Sequence, residues 1–207
     1  MSRLRIASIV EGDGEVSALP ELLRRVWTEL LNGEYIDVLR PIRCKRDKLI
    51  RSHFNELPRM VELASKLLNA KRDATPELIL VLIDAEDEFA CQLGPILLKR
   101  GKECRPDFDV SCVIANHCYE TWFAAASDSL IAHLDLTGDS QLPTDPEQAD
   151  LRKSWVSKRI RRAKYSETVD QVRLTAAMDL SQCRANSRSF DKLCRELEDR
   201  LHSKPAG

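Results

Sequence analysis

Leu78 to Ile83 reads LILVLI, six aliphatic residues with no polar interruption. A run of that length suits a strand and is short for a helix. Successive side chains of a strand point to opposite faces, so a strand that is apolar throughout asks for cover on both sides. Two other segments have the same character, Leu4 to Val10 (LRIASIV) and Val110 to Ala115 (VSCVIA). Tyr35 to Cys44 reads as a further strand broken by Pro41.

Between these runs the apolar spacing changes to three and four. Val16, Leu19, Leu23, Val26, Trp27, Leu30 and Leu31 predict a helix over Val16 to Leu31, with Pro20 in its first turn and Asn32-Gly33 as its stop. Asn55 to Ala70 reads as a second helix, Leu93 to Arg100 as a short one, and Tyr119 to Leu134 as another. Strands alternating with helices predict an α/β fold: a Rossmann-like, mostly parallel sheet with helices on both faces. From Asp150 onward the chain reads as charged and helical, after a loop over Gly138 to Glu147 that holds two prolines. The expected organisation is one compact unit, a core over residues 1–137 and a helical C-terminal extension over 138–207.

Composition excludes several classes. Of 207 residues, 43% are hydrophobic and 31% charged, which describes a folded chain and not a disordered one. A net charge of −1 gives no bulk attraction to nucleic acid, so any basic surface must be local. No apolar run is long enough to span a membrane, and the N-terminus has no signal-peptide pattern, so a cytoplasmic protein is expected. Seven cysteines, an odd number with no C-x-x-C, read as reduced thiols. Cys112, His117 and Cys118 lack the second close pair that a structural zinc site usually has. P-loop and G-x-S-x-G signatures are absent.

The acids fall where chemistry would need them. Ligands of parallel sheets bind at the carboxyl ends of the strands. The first strand ends in Glu11, with Glu15 about one helical turn later. LILVLI ends in Asp84, Glu86 and Asp87, and the third apolar strand leads to Glu120. Asp13 reads as an ordinary helix-start residue favoured by the helix dipole. Two unit charges 4 Å apart repel by about 4 kcal/mol at an effective dielectric near 20, so converging carboxylates call for a cation. A set of hard oxygen ligands suits Mg²⁺ or Mn²⁺. Gly12 and Gly14 would let the backbone turn tightly and a ligand approach.

The segments VEGDGE and LILVLIDAED resemble the Toprim domain of topoisomerases, bacterial primases and nucleases of the overcoming-lysogenization-defect type. With IVEGDGEVSALPELLRR, VIANHCYETWFAAA and AAMDLSQCRANSRSFDKL, the chain from about Ile6 to Leu197 is similar to the Toprim-like prokaryotic family called domain of unknown function 4276. The resemblance implies a Toprim-like sheet and a magnesium site. Glu11 takes the position of the Toprim glutamate, as metal ligand or general acid–base. Asp84 and Glu86 take the two positions of its D-x-D motif, the second one methylene longer than an aspartate. Asp87 and Glu120 are further candidate ligands, with Glu15 beside them. Trp122 in the E-x-W segment reads as a packing residue.

Lys153 to Lys164 (KSWVSKRIRRAK) holds six cations. It reads either as a solvated helix face or as a phosphate-contacting surface through Lys153, Arg159, Arg161, Arg162 and Lys164. Lys158 matches the family's central lysine, which implies a phosphate or transition-state contact. Arg43 to Arg51 is a second basic run. Tyr165, Asp170, Gln171, Ser187 and Phe190 also match the family pattern and read as docking residues for the C-terminal helices. The expected function is metal-dependent hydrolysis of nucleic acid, DNA before RNA. The resemblance adds a separate ABC-type ATPase partner, in defence against phage or plasmids. A non-catalytic adaptor for such an ATPase, and phosphotransfer on a small phosphorylated metabolite, are the alternatives.

Overall fold

The computed structural model describes residues 3–51, 56–69, 75–135, 145–148, 152–161 and 164–202. Its centre is β4 (Glu77–Asp84), in which every residue from Leu78 to Ile83 is at most 1% exposed. Each such side chain contributes about 1.5–3 kcal/mol of burial. Parallel to it lie β1 (Arg3–Val10) on one side and β5 (Val110–Ala115) on the other. On the far side of β1 are β2 (Tyr35–Val38) and then β3 (Ile42–Arg43), both parallel to β1, with Pro41 in the gap between them. All five strands point the same way, so the Rossmann-like α/β reading holds.

Two apolar clusters cover the sheet, one per face. The aliphatic one is closed by α3 (Glu56–Asn69) through Leu57, Val61 and Leu68, and by α4 (Ala90–Cys104) through Leu93 and Leu97. The larger one holds the aromatics Trp27, Tyr119, Trp122, Phe123, Trp155 and Phe190. It is closed by α1 (Asp13–Arg25), α5 (Glu120–Ala125), α6 (Lys153–Arg159), α7 (Val172–Ala177), α8 (Leu180–Asn186) and α9 (Arg188–His202). Leu174, Met178, Phe190 and Leu197 belong to the same cluster as Leu4 and Leu80, so the C-terminal helices share the core of the sheet. The boundary expected at 137/138 and most of the Gly138–Glu147 loop fall outside the described residues.

Three helices differ from expectation. The first begins at Asp13, so Pro20 lies inside it and withdraws an internal hydrogen bond. Its last turn, Val26–Leu30, widens to π geometry and stops at Asn32 (φ 57°), where Gly33 N donates to Trp27 O at 2.7 Å. α4 extends beyond the expected Leu93–Arg100 at both ends. The helix expected over Tyr119 to Leu134 is α only to Ala125, then 3₁₀ over Ser127–Leu130. Ser129 Oγ donates to Ala126 O there, the local competition by which short polar side chains end helices.

α9 guards the free edge of β5. Arg200 donates two 2.8 Å hydrogen bonds to the Asp109 carboxylate at one end, and Asn116 N donates to Ser189 Oγ at the other. Ser189 Oγ also accepts from Trp122 Nε1 at 2.9 Å, and buried Glu147 accepts from Ser187 Oγ and Ser189 N at 2.7 and 2.8 Å. A covered edge cannot recruit a foreign strand.

Candidate functional site

The first strand hands over to α1 through Glu11 and an extended Gly12. Asp13 stays exposed and pairs with Arg43 at 3.3 Å, as a helix-start residue does. Glu15, two residues into the helix, points back and is only 6% exposed. The glycines have a definite steric purpose. A Cβ on Gly12 would lie 2.5 Å from Glu15 Oε2, and one on Gly14 would lie 2.1 Å from Gln171 Oε1. They make room for two side chains of the site itself.

Asp84 closes β4. Its backbone N donates to Glu11 Oε2 at 3.3 Å, and its Oδ1 accepts from Tyr119 N at 2.9 Å. Glu120 opens α5 with 1% exposure. Its Oε1 accepts from Tyr165 Oη at 2.8 Å and Gln171 Nε2 at 3.0 Å. The same Gln171 nitrogen donates to Glu15 Oε1 at 3.3 Å, so one amide spans two carboxylates. Glu15 Oε2 is buried with no hydrogen-bond partner.

Electrostatics describe a crowded acidic site. Burial pushes Glu11 up from an ordinary 4.5 to about 7, assisted by the charges of Glu15 and Glu86 and opposed by the Asp84 N–H and Arg46. Burial also raises Glu15, against the hydrogen bond from Gln171 and with the charge of Glu120. Asp84 is held well above the usual carboxylate range by loss of water, then by Glu11, Glu15 and Glu120. These four acids therefore share one electrostatic neighbourhood. Among the described residues, no three acids, histidines or cysteines are drawn together tightly enough to form a finished coordination shell.

Glu86 and Asp87 turn outward. Glu86 takes a left-handed backbone (φ 53°) and pairs with Arg46 at 3.4 Å. Arg46 also donates to the carbonyls of Asp84 and Ala85 at 2.8 and 2.7 Å, fastening the strand end. Asp87 pairs with Arg152, whose hydrogen bond holds its carboxyl below the usual range.

The basic run divides. Lys153 pairs with Glu167 at 2.6 Å. Burial lowers its pKa, but Glu167 and the charges of Glu120 and Glu15 outweigh that and raise it overall. Lys153 thus feels the acids. Lys158 is exposed on the same short helix. Arg159 stacks on Trp155 at 4.9 Å, and Arg161 donates to the carbonyls of Ile131 and Leu134 at 3.1 and 3.3 Å. Those two arginines tie the chain together, Lys164 is exposed, and Arg162 lies outside the described residues. Arg46, Tyr165 and Gln171 are site residues whose roles sequence patterning did not assign. The signal available for Gln171 and Tyr165 was their match to the family pattern, read as docking. Cys112 and Cys118 are buried with thiols pushed up to about 12, which suits inert core positions.

A family profile, described as domain of unknown function (DUF4276), matches residues 10–198, and the chain belongs to that family. No curated protein and no solved structure matches the chain. No helix among the described residues is long and apolar enough to cross a membrane.

Proposed function

We propose that this member of the DUF4276 family is a Toprim-type phosphodiesterase that hydrolyses nucleic acid, DNA in the first instance, with Mg²⁺ or Mn²⁺. The observation that carries the reading is the convergence of Glu11, Glu15, Asp84 and Glu120 at the carboxyl ends of the central strands. Four acids share that space, burial and mutual repulsion raise the carboxyls of Glu11, Glu15 and Asp84, and one buried oxygen, Glu15 Oε2, has no partner. An all-oxygen donor set with an orphaned carboxylate oxygen fits a hard divalent ion. Glu11 and Asp84 would hold it, with Glu15, Glu86 and Glu120 around them, whereas Asp87 is engaged by Arg152. Such an ion supplies a nucleophilic hydroxide at neutral pH and charge for the leaving oxygen.

The protein's own groups do the rest. Gln171 and Tyr165 aim Glu15 and Glu120 by hydrogen bonds. Arg46 fixes the turn that carries Asp84 and Glu86. Glu11, raised to about 7 without an ion, would be held as the carboxylate by a bound cation. Lys153, whose charge already reaches these acids, would meet the incoming phosphate, the role first given to Lys158. The proposal extends to a cytoplasmic setting and a separate ABC-type ATPase that delivers or gates the nucleic acid in defence.

A second reading, an adaptor that binds cation or phosphate without turnover, draws support from Glu86, which leans to Arg46 and away from Asp84. Both are tested by cleavage of plasmid, linear and single-stranded DNA and of RNA with Mg²⁺ or Mn²⁺, comparing wild type with Glu11→Gln and Asp84→Asn. Cation-dependent cutting lost in both variants supports the nuclease. Cutting that survives both overturns the site. Absence of cutting by wild type, alone and with an ATPase partner, while cation binding persists and is lost in the variants, selects the adaptor.

A further inference from the structure

On the outer side of the Glu86–Glu88 turn the molecule opens into a cleft of about 830 Å³ between α4 and α9. That volume is in the range of about 300–1,000 Å³ usual for sites that take a nucleotide-sized ligand. We propose that this cleft binds a single strand of nucleic acid, with an unstacked base against Phe89 and backbone phosphates along α9. The inference deepens the nuclease reading and rests on it: it names the single-stranded form as the substrate class.

The floor is apolar, made by Cys112 and Ile114 of β5 with Gly94, Pro95 and Leu98 of α4. Phe89 stands at the start of α4, is 69% exposed and lines the cleft beside its apolar floor. Base–aromatic stacking is tolerant of sequence and needs a face that duplex stacking would occupy, so an exposed ring over an apolar floor suits an unpaired base. The opposite wall carries Arg188, Lys192 and Arg195, spaced four and three apart on one face of α9. Arg188 pairs with Asp145 at 3.3 Å and with buried Glu147 at 3.7 Å, Lys192 with half-buried Glu196, and Arg195 with Asp191 at 3.0 Å. All three cations are themselves exposed, and the Arg195–Asp191 pair is of the weak surface kind.

The acids at the cleft mouth do not repel a phosphate as their number suggests. Glu86 and Glu88 both pair with Arg46, and Asp87 pairs with Arg152. Glu86 lines the cleft and lies two residues beyond Asp84, the last residue of β4, so a strand lying in the cleft would pass beside the end of that strand. Between them runs a strained seam. Glu86 (φ 53°) and His117 (φ 60°) are non-glycine residues in the left-handed region, joined by a 2.8 Å hydrogen bond from Glu86 N to His117 O. Strain of this kind is kept where surrounding structure enforces it, commonly beside binding sites.

The test is fluorescence anisotropy of a labelled oligothymidylate and of a duplex of equal length, in EDTA so that binding is read without cutting. Phe89→Ala is expected to weaken single-strand binding by about 5- to 100-fold and leave duplex binding unchanged. The triple variant Arg188→Gln, Lys192→Gln, Arg195→Gln is expected to weaken it at least about tenfold and to lower the salt slope by about two to three. A control triple on other exposed cations, Arg59→Gln, Lys66→Gln, Lys99→Gln, should bind as wild type. Single-strand affinity unchanged in both cleft variants, a loss equal for strand and duplex, or displacement of the strand by polyglutamate overturns the inference. The two readings fail separately. Wild-type cutting that needs Glu11 and Asp84 with no role for the cleft removes only this inference. Cleft-dependent binding by a protein that never cuts removes only the nuclease.

Discussion

Asp84 and Asp87 are three residues apart at the end of one strand, and their surroundings are opposite. Asp84 is hemmed in by protein and three other acids, which hold its carboxyl well above the usual range. Asp87 is 84% exposed and is held below its usual range by Arg152. A chain that needed only surface charge would treat the two alike. Here the turn built by Glu86 and fastened by Arg46 sorts them, one inward without a cation and one outward with its own. A motif spacing therefore says which acids are near a strand end, while the turn decides which of them face the site.

The largest expected separation is in activity. Asp84→Asn should lower cation-dependent phosphodiester cleavage by at least about 100-fold, and Asp87→Asn by no more than about threefold, measured as initial rates at saturating cation. Equal losses would erase the distinction. The pH dependence of stability should also differ in sign. In the folded protein Glu11 keeps its proton up to about 7, and the unfolded chain loses it near 4.5. Its contribution is full below 4.5 and disappears as pH rises through about 7, so thermal stability without divalent cation should fall over that window. Glu11→Gln should flatten the fall, with the remainder belonging to Asp84 and Glu15. Asp87 contributes in the reverse sense, present above its ordinary 3.8 and lost as pH falls below it. A wild-type melting temperature that rises from pH 4.5 to 7 would contradict the inner environment.

A smaller effect belongs to the amide that spans two acids. Gln171→Ala should destabilise by about 1–3 kcal/mol in urea titrations, because it leaves two buried carboxyl groups without their shared donor. The smallest belongs to the outer pair. Arg152→Ala should shift the urea midpoint least of these variants, as the Asp87 carboxylate it pairs with is exposed.

The parts of this molecule that could be read from sequence are those in which one segment decides alone. β1, β4 and β5 are mostly apolar segments of strand length, and Pro41 divides β2 from β3 where no donor is available. Glu11 and Asp84 follow from those strand ends. Less was legible where a helix buries a narrow stripe. α4 buries only Leu93, Leu97 and Gly101, too few apolar positions to mark its ends, so only its middle, Leu93 to Arg100, was legible. The glycines of VEGDGE were expected to admit a ligand. They accommodate Glu15 and Gln171, a fact that depends on a residue 157 positions beyond Gly14. Lys153, Tyr165 and Gln171 reach the acids only because the C-terminal helices join the aromatic core, and no local periodicity reports that. The run from Lys153 to Lys164 looked uniform, but Trp155, Ile131 and Leu134 claim Arg159 and Arg161 for the fold.

The hydrogen bonds from Gln171 to Glu15 and Glu120 also set an order in time. Ribosomes deliver a chain from its N-terminus, so Glu11, Glu15, Asp84 and Glu120 all emerge before the amide that spans two of them. During that interval the acids have neither their shared donor nor the Tyr165 hydroxyl, and the aromatic core that seats both is still missing Phe190. The finished constellation therefore cannot form before Tyr165, Gln171 and Phe190 have been made, however early its acids emerge.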